Sequence, residues 1–255
     1  MQTRYRAWMD GMPLDGIDES VIILDIAEED AEIQRQTMAL GRAGQRVVSR
    51  RRMSLTVAIT IEVHEYDIAR RQEVVDRIRH WCAGSLLTTN TRAGKHLRVE
   101  CTQLPAVTSA ARWTDPLSIT LSADDVPWWE DDAQMSATAS SAQAATISLS
   151  ATGTAETPLS VTVTNRGAGD AQTVSISCAG QTMAFEGVGL RPGETLTIDR
   201  DEKDRLRVRI GDRSAYAART ADSADELLVM PGKNEIACAC DQPADWTLTL
   251  KGRWT

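Results

Sequence analysis

Three observations make this a mainly β protein of two domains with one helix, in which an α+β N-terminal domain precedes a β-sandwich. Met53, Leu55, Val57, Ile59, Ile61 and Val63 alternate with Ser54, Thr56, Ala58, Thr60 and Glu62, the period-two pattern of a strand with one buried face. A single stretch, about 67 to 83, carries apolar residues at helical spacing. From Ile147 onward the chain shows only short alternations separated by turn residues, which is how a β-sandwich reads.

Taken in order, Val21 to Ala27 is an apolar run that ends in the acidic turn Glu28-Glu29-Asp30, and Ile33 to Leu40 reads as a further strand or an irregular excursion. Arg50, Arg51 and Arg52 lead into the long alternation. Asp67 is placed to cap the helix, Ile68, Val75, Ile78 and Cys82 form its apolar stripe, and Gly84 ends it. Leu86 to Thr89 and the alternating Leu97, Val99 and Cys101 flank a loop containing Gly94, which predicts a hairpin. Leu117, Ile119, Leu121 and Ala123 alternate again before Pro127-Trp128-Trp129.

Residues 136–146 are almost wholly Ser, Ala, Thr and Gln, too poor in large apolar groups to build a core. The predicted organisation is therefore an N-terminal domain over 1–135, a linker over 136–146 and a second domain over 147–255. In the second domain, Leu159/Val161/Val163, Val174/Ile176/Cys178, Leu206/Val208/Ile210 and Trp246/Leu248/Leu250 are strand patterns. Asn165-Arg166-Gly167 and Pro231-Gly232-Lys233-Asn234 are turns between them.

The 255 residues are 42% apolar, and the formal charge of −8 disfavours a general nucleic-acid binder. There are 16 basic and 21 acidic residues up to residue 135 and 12 and 15 beyond it, so both halves are acidic. The N-terminal sequence lacks the apolar run of a signal peptide, and nothing approaches the ~18 apolar residues of a membrane span. The expectation is a soluble protein made in a reducing cytoplasm. Five cysteines without CxxC spacing read as core residues, with Cys238 and Cys240 on one face.

Catalytic patterns are missing: no GxSxG, no HExxH and no phosphate-cradling loop, and His64, His80 and His96 have no visible partners and read as surface or helix-end residues. Trp128 and Trp129, flanked by Asp124-Asp125 and Glu130-Asp131-Asp132, suit either a sugar or cation contact or an anchor at the domain end. The charged run Asp199 to Arg205 suits a solvated hairpin tip or, less simply, a calcium site. Arg35 and Arg42 to Arg52 form the basic stretch, with Arg50, Arg51 and Arg52 as the candidate subunit interface onto an acidic face of another copy. No catalytic residue, metal or cofactor is assigned.

The order from Arg50-Arg51-Arg52 through Leu55 to Ile59, a helix reaching Trp81, the Leu86-Leu87-Thr88 and Arg98-Val99 strands, Cys101 to Pro105, Trp113-Thr114-Asp115 and Pro127-Trp128-Trp129 resembles one family. It is similar to the distal tail proteins of long-tailed, non-contractile bacteriophages and their prophages, and Leu227 to Ile236 resembles the turn before their last strands. The resemblance implies an N-terminal ring-forming domain of split-barrel or sandwich type and a C-terminal galectin-like β-sandwich. It implies a six-membered ring joining the tail tube to the baseplate hub or tip, around the channel through which DNA leaves. The partners are then further copies of the chain, the tube protein, the hub or tip protein and the tape-measure protein, in the virion, with no membrane and no enzymatic activity. The alternatives are a carbohydrate-binding module acting through Trp128, Trp129 or loops of the second domain, and a glycosidase built on paired carboxylates.

Overall fold

The chain divides into two units, Met1–Trp129 and Glu130–Thr255. The computed structural model describes residues 5–29, 33–39, 45–106 and 115–255; Arg42, Trp113 and the side chains of Arg50 and Arg51 lie outside the described residues. Every pairing between named strands described below is antiparallel.

Unit 1 contains β1 (Ala7–Met9), β2 (Met12–Pro13), β3 (Val21–Glu29), β4 (Ile33–Ala39), β5 (Gln45–Arg52) and β6 (Leu55–Val63), then helix α1 (Ile68–Trp81). After the helix come β7 (Leu86–Thr89), β8 (Lys95–Arg98), β9 (Glu100–Gln103) and β10 (Leu117–Ala123). One sheet has the order β3-β6-β10-β9, a second contains the run β2-β1-β7-β8, and β4 and β5 form a two-stranded hairpin of their own.

The long alternation is β6, shorter than predicted because Met53 and Ser54 fall between β5 and β6. Leu55, Val57, Ile59, Ile61 and Val63 are all buried, and the residues between them are half-buried. In register, Ile59 lies between Ile26 on β3 and Ile119 on β10. Ile61 likewise lies between Ile23 and Leu117, so the middle of the strand meets apolar neighbours on both sides, which is the packing unit of a sheet.

Helix α1 begins where Asp67 predicts. The Asp67 carboxylate accepts the Ala69 and Arg70 amides at 2.8 and 3.2 Å, satisfying donors that the first turn leaves orphaned. Val74, Val75, Ile78 and Trp81 are its buried side, and the Trp81 indole donates to the Met12 carbonyl at 2.8 Å. Gly84 has its place for a different reason from the capping role expected of it. Its φ is not positive; instead a Cβ there would stand 2.3 Å from Met9 Cγ and 2.5 Å from Asp10 Oδ2. That close approach lets Asp10 accept the Ser85 and Leu86 amides.

Two readings change. The Leu97, Val99, Cys101 alternation is not one strand: β8 pairs with β7, whereas β9 pairs with β10 in the other sheet. Alternation reports a buried face, and that face continues through the break at Val99. His96, read as a surface residue, is 8% exposed, because β8 buries two successive residues where it leaves one sheet for the other.

Strand β11 (Trp129–Asp131) crosses the division in sequence. In unit 2 follow β12 (Met135–Ser141), β13 (Ala144–Ala151), β14 (Thr157–Pro158), β15 (Ser160–Asn165), β16 (Ala171–Cys178), β17 (Gln181–Leu190), β18 (Thr195–Arg200) and β19 (Leu206–Ile210). The last are β20 (Arg213–Ser214), β21 (Leu228–Val229), β22 (Gly232–Cys240), β23 (Ala244–Leu250) and β24 (Arg253–Trp254). A sheet of order β12-β23-β15-β18-β19-β20 and another of order β13-β22-β16-β17 enclose one core, which includes Ile176, Phe185, Trp246 and Leu248. That is a β-sandwich.

The segment 136–146 is not a linker. Met135–Ser141 pairs along its whole length with β23, and Ala144 opens the pairing of β13 with β22. Its composition cannot build a core, but an edge strand needs only to cover one: Ala137 and Ala139 pack against the core while the alternate serines and threonines face outward. Cys178, Cys238 and Cys240 are buried in that core, Cys238 and Cys240 on one face as predicted.

Candidate contact site at the tryptophan pair

Trp128 and Trp129 are neighbours in sequence with different surroundings. Trp129 is fully buried, and its indole donates to Glu28 Oε2 at 3.2 Å. Glu28, at the end of β3, also takes both arms of the Arg92 guanidinium, at 3.0 and 2.7 Å. Arg92 in turn lies 6.0 Å from the Trp129 ring centroid. The hydrogen bonds to Glu28 hold Arg92 above its ordinary value against the opposing effect of its burial.

Trp128 is half-buried and carries Arg52 over its face, the guanidinium carbon 4.4 Å from the ring centroid. A guanidinium stacked on an indole at this distance is a cation–π contact worth ~0.5–2 kcal/mol, depending on how far it is desolvated. Two candidates singled out separately in the sequence, the arginine triplet and the tryptophan pair, therefore meet at one contact. Arg50 and Arg51 lie on the same strand, β5.

Nothing in the sequence links Glu28, Arg92 and Trp129. Glu28 reads as part of a turn, yet it is the penultimate residue of β3, and Arg92 reads as loop. Their conjunction comes from the pairing of β3 with β6 and the loop geometry between β7 and β8.

In unit 2 the charged tip between β18 and β19 is occupied by its own arginines. Asp201 accepts the Lys203 amide at 2.9 Å, the Arg205 amide at 3.0 Å and Arg205 Nε at 2.8 Å. Asp199 is paired with Arg207 at 2.8 Å and Arg209 at 3.4 Å, and Asp204 with Arg253 at 2.8 Å. These carboxylates face guanidinium groups, and among the described residues no group of three His, Cys, Asp or Glu side chains could hold a metal ion.

The Arg205 side-chain and backbone bonds lower the Asp201 carboxyl to about 2. A depressed carboxyl contributes stability that is present above the unfolded-state value of 3.8 and disappears as pH falls toward about 2. Carbon-detected NMR titration is expected to place Asp201 in that low range in the native chain and to return it toward 3.8 in Arg205→Ala.

The outward face of the β13-β22-β16 sheet carries Ala144, Thr146, Ser175, Ser177, Ala237 and Ala239, small side chains and hydroxyls without an aromatic platform among them. His64 is paired with Glu62 at 2.6 Å, and His80 is exposed on the helix.

No protein-family model matches the chain, and no curated protein matches it. Among solved structures, the Dit (gp 19.1) protein of phage SPP1 superposes over 98% of this chain and 99% of its own, at a TM-score of 0.71 and 10% identity. The chain has the Dit fold. The SPP1 protein is described as a paradigm of the hub adsorption apparatus in phages that infect Gram-positive bacteria. The phage p2 baseplate, in its activated conformation with Sr, aligns over 97% of each chain at 8% identity and a TM-score of 0.49. A mostly antiparallel β protein in two parts with one helix among the described residues, as the sequence predicts, is the Dit fold.

Proposed function

We propose that this chain is a structural component of a bacteriophage tail, a distal tail protein that acts mechanically and not as an enzyme. Copies close into a ring, six by analogy with the family, that joins the tail tube to the baseplate hub or tip and surrounds the channel through which DNA leaves. The observation that carries this reading is the match of the Dit fold over nearly the full length of both chains. The tube protein, the hub or tip protein and the tape-measure protein are its proposed neighbours in the virion. No helix among the described residues is long and apolar enough to cross a membrane.

The β4–β5 hairpin is our candidate for the contact between copies. It stands as a separate two-stranded sheet, residues 33–38 are all exposed, and Ile33 and Met38 leave 57% and 55% of their surface open. Unpaired strand edges with exposed apolar side chains are what a neighbouring sheet edge pairs with. Arg50 and Arg51 on β5 are proposed to face acidic groups of the next copy, while Arg52 holds the hairpin base to Trp128.

The test is the oligomeric state of the purified chain, alone and co-expressed with tail partners, by light scattering and electron microscopy. A closed ring is expected; a monomer at high concentration under all these conditions overturns the reading. Arg50→Ser with Arg51→Ser should reduce the ring fraction while leaving thermal stability within about 0.5 kcal/mol, as for surface changes. Equal loss of assembly and stability would sink the interface assignment. Glycan binding by the chain, lost on Trp128→Ala, would favour the carbohydrate-binding alternative.

A further inference from the structure

Two thiols meet at the end of α1. Cys82 is the C-terminal cap of the helix and is 3% exposed, whereas Cys101 on β9 is half-buried. The Val99 amide donates to the Ser85 carbonyl at 2.9 Å, which fastens the two segments close to both cysteines. Cys101 Sγ donates to the Gln103 carbonyl at 3.3 Å, and Cys101 lies near enough to act on the Cys82 thiol. Both cysteines line one cavity of about 490 Å3, with Arg79, Gly84, Glu100 and Leu104 among its walls. That volume lies within the range of small-molecule pockets.

We propose that Cys82 and Cys101 are a modification site: a thiol pair that closes to a disulfide by exchange with a small soluble disulfide, such as oxidised glutathione, entering this cavity. The more accessible Cys101 reacts first. It gives its proton to solvent, and the thiolate attacks one sulfur of oxidised glutathione, forming a mixed disulfide as the glutathione S–S bond breaks and one glutathione leaves. Cys82 then gives its proton to solvent and attacks the Cys101 sulfur, forming the internal S–S bond as the mixed disulfide breaks and displacing the second glutathione as a thiolate, which takes up a proton. Two protein thiols are oxidised and one disulfide is reduced to two thiols.

Burial, reinforced by the adjacent Cys101, pushes the Cys82 thiol up to about 12, which keeps it protonated at neutral pH and makes it the second to react. The bond would tie β9, the edge strand of the β3-β6-β10-β9 sheet, to the end of α1. A chain made in a reducing compartment and later exposed to an oxidising one would then gain a cross-link without any enzyme. The pair behaves this way whether or not the chain forms a ring.

The experiment incubates the reduced chain with oxidised glutathione under native conditions, followed by thiol titration and peptide mass mapping. Two of the five thiols should be lost, with a Cys82–Cys101 peptide linkage. Cys101→Ser should keep all its remaining thiols, and Cys82→Ala should retain one glutathionyl group on Cys101. Full retention of thiols by the folded native chain overturns the proposal, as does a linkage that joins other cysteines. If Cys82→Ala fails to fold, Cys101→Ser decides the matter, because its position is half-buried and tolerates serine.

Discussion

Ile59→Asp is expected to destabilise unit 1 by about 3–5 kcal/mol, enough to unfold a domain of ordinary stability. Ile59 is fully buried at the middle of β6, and its cross-strand neighbours Ile26 and Ile119 are apolar and buried, so a carboxylate there has no partner and no water. The same substitution one residue on, Thr60→Asp, enters the half-buried opposite face between Ser118 and Asp25, where it meets a like charge but keeps access to water, and should cost less. Denaturant midpoints of the two variants read the register directly, since a slip of one residue would exchange their effects. Similar midpoints for both would contradict the register of β6.

Arg253→Met should cost on the order of 3 kcal/mol. Arg253 is 6% exposed, donates to Glu130 Oε1 at 3.0 Å and meets both oxygens of Asp204 at 3.2 and 2.8 Å. These partners keep its guanidinium above its ordinary value, although burial acts in the opposite sense and is the largest single influence. Methionine fills the volume of the stem but removes the cation that Glu130 and Asp204 share. Asp204 retains Arg200 at 3.5 Å, which softens the loss. A double-mutant cycle with Asp204→Asn checks the account: the second change should cost less in the Arg253→Met background than in the native chain, and additive losses would show that the pair is not coupled.

The parts of the fold legible in the sequence are those whose burial is one-sided and made of large side chains. Strand β6, helix α1 with its Asp67 cap, β10 and the strands around Trp246 follow from period and capping alone. Strand β12 escaped because within 136–141 its core-facing residues are the half-buried Ala137 and Ala139, and a small side chain on a core face looks the same as one in a linker. The break between β8 and β9 escaped because alternation records which face is buried and not which strand lies alongside. The candidate site was half legible: the arginine triplet and the tryptophan pair stand out by composition. The stacking of Arg52 on Trp128, and the sharing of Glu28 by Arg92 and Trp129, depend on contacts between distant segments that no local pattern encodes.

The pairing inside unit 2 also sets an order of events in time. Met135 at the start of β12 lies opposite Leu250 in β23, and Ala144 at the start of β13 lies opposite Ala239 in β22. The first two strands of this sandwich therefore take their partners from the last part of the chain, and neither sheet can be completed during synthesis until those residues have left the ribosome. The β3-β6-β10-β9 sheet of unit 1 draws all its strands from residues no later than Ala123, so that sheet can form while unit 2 is still being made. A nascent chain stopped before Gly232 would hold the β3-β6-β10-β9 sheet of unit 1 complete and a sandwich whose opening strands have no edge to join, a state with apolar strands exposed and prone to pairing with other chains.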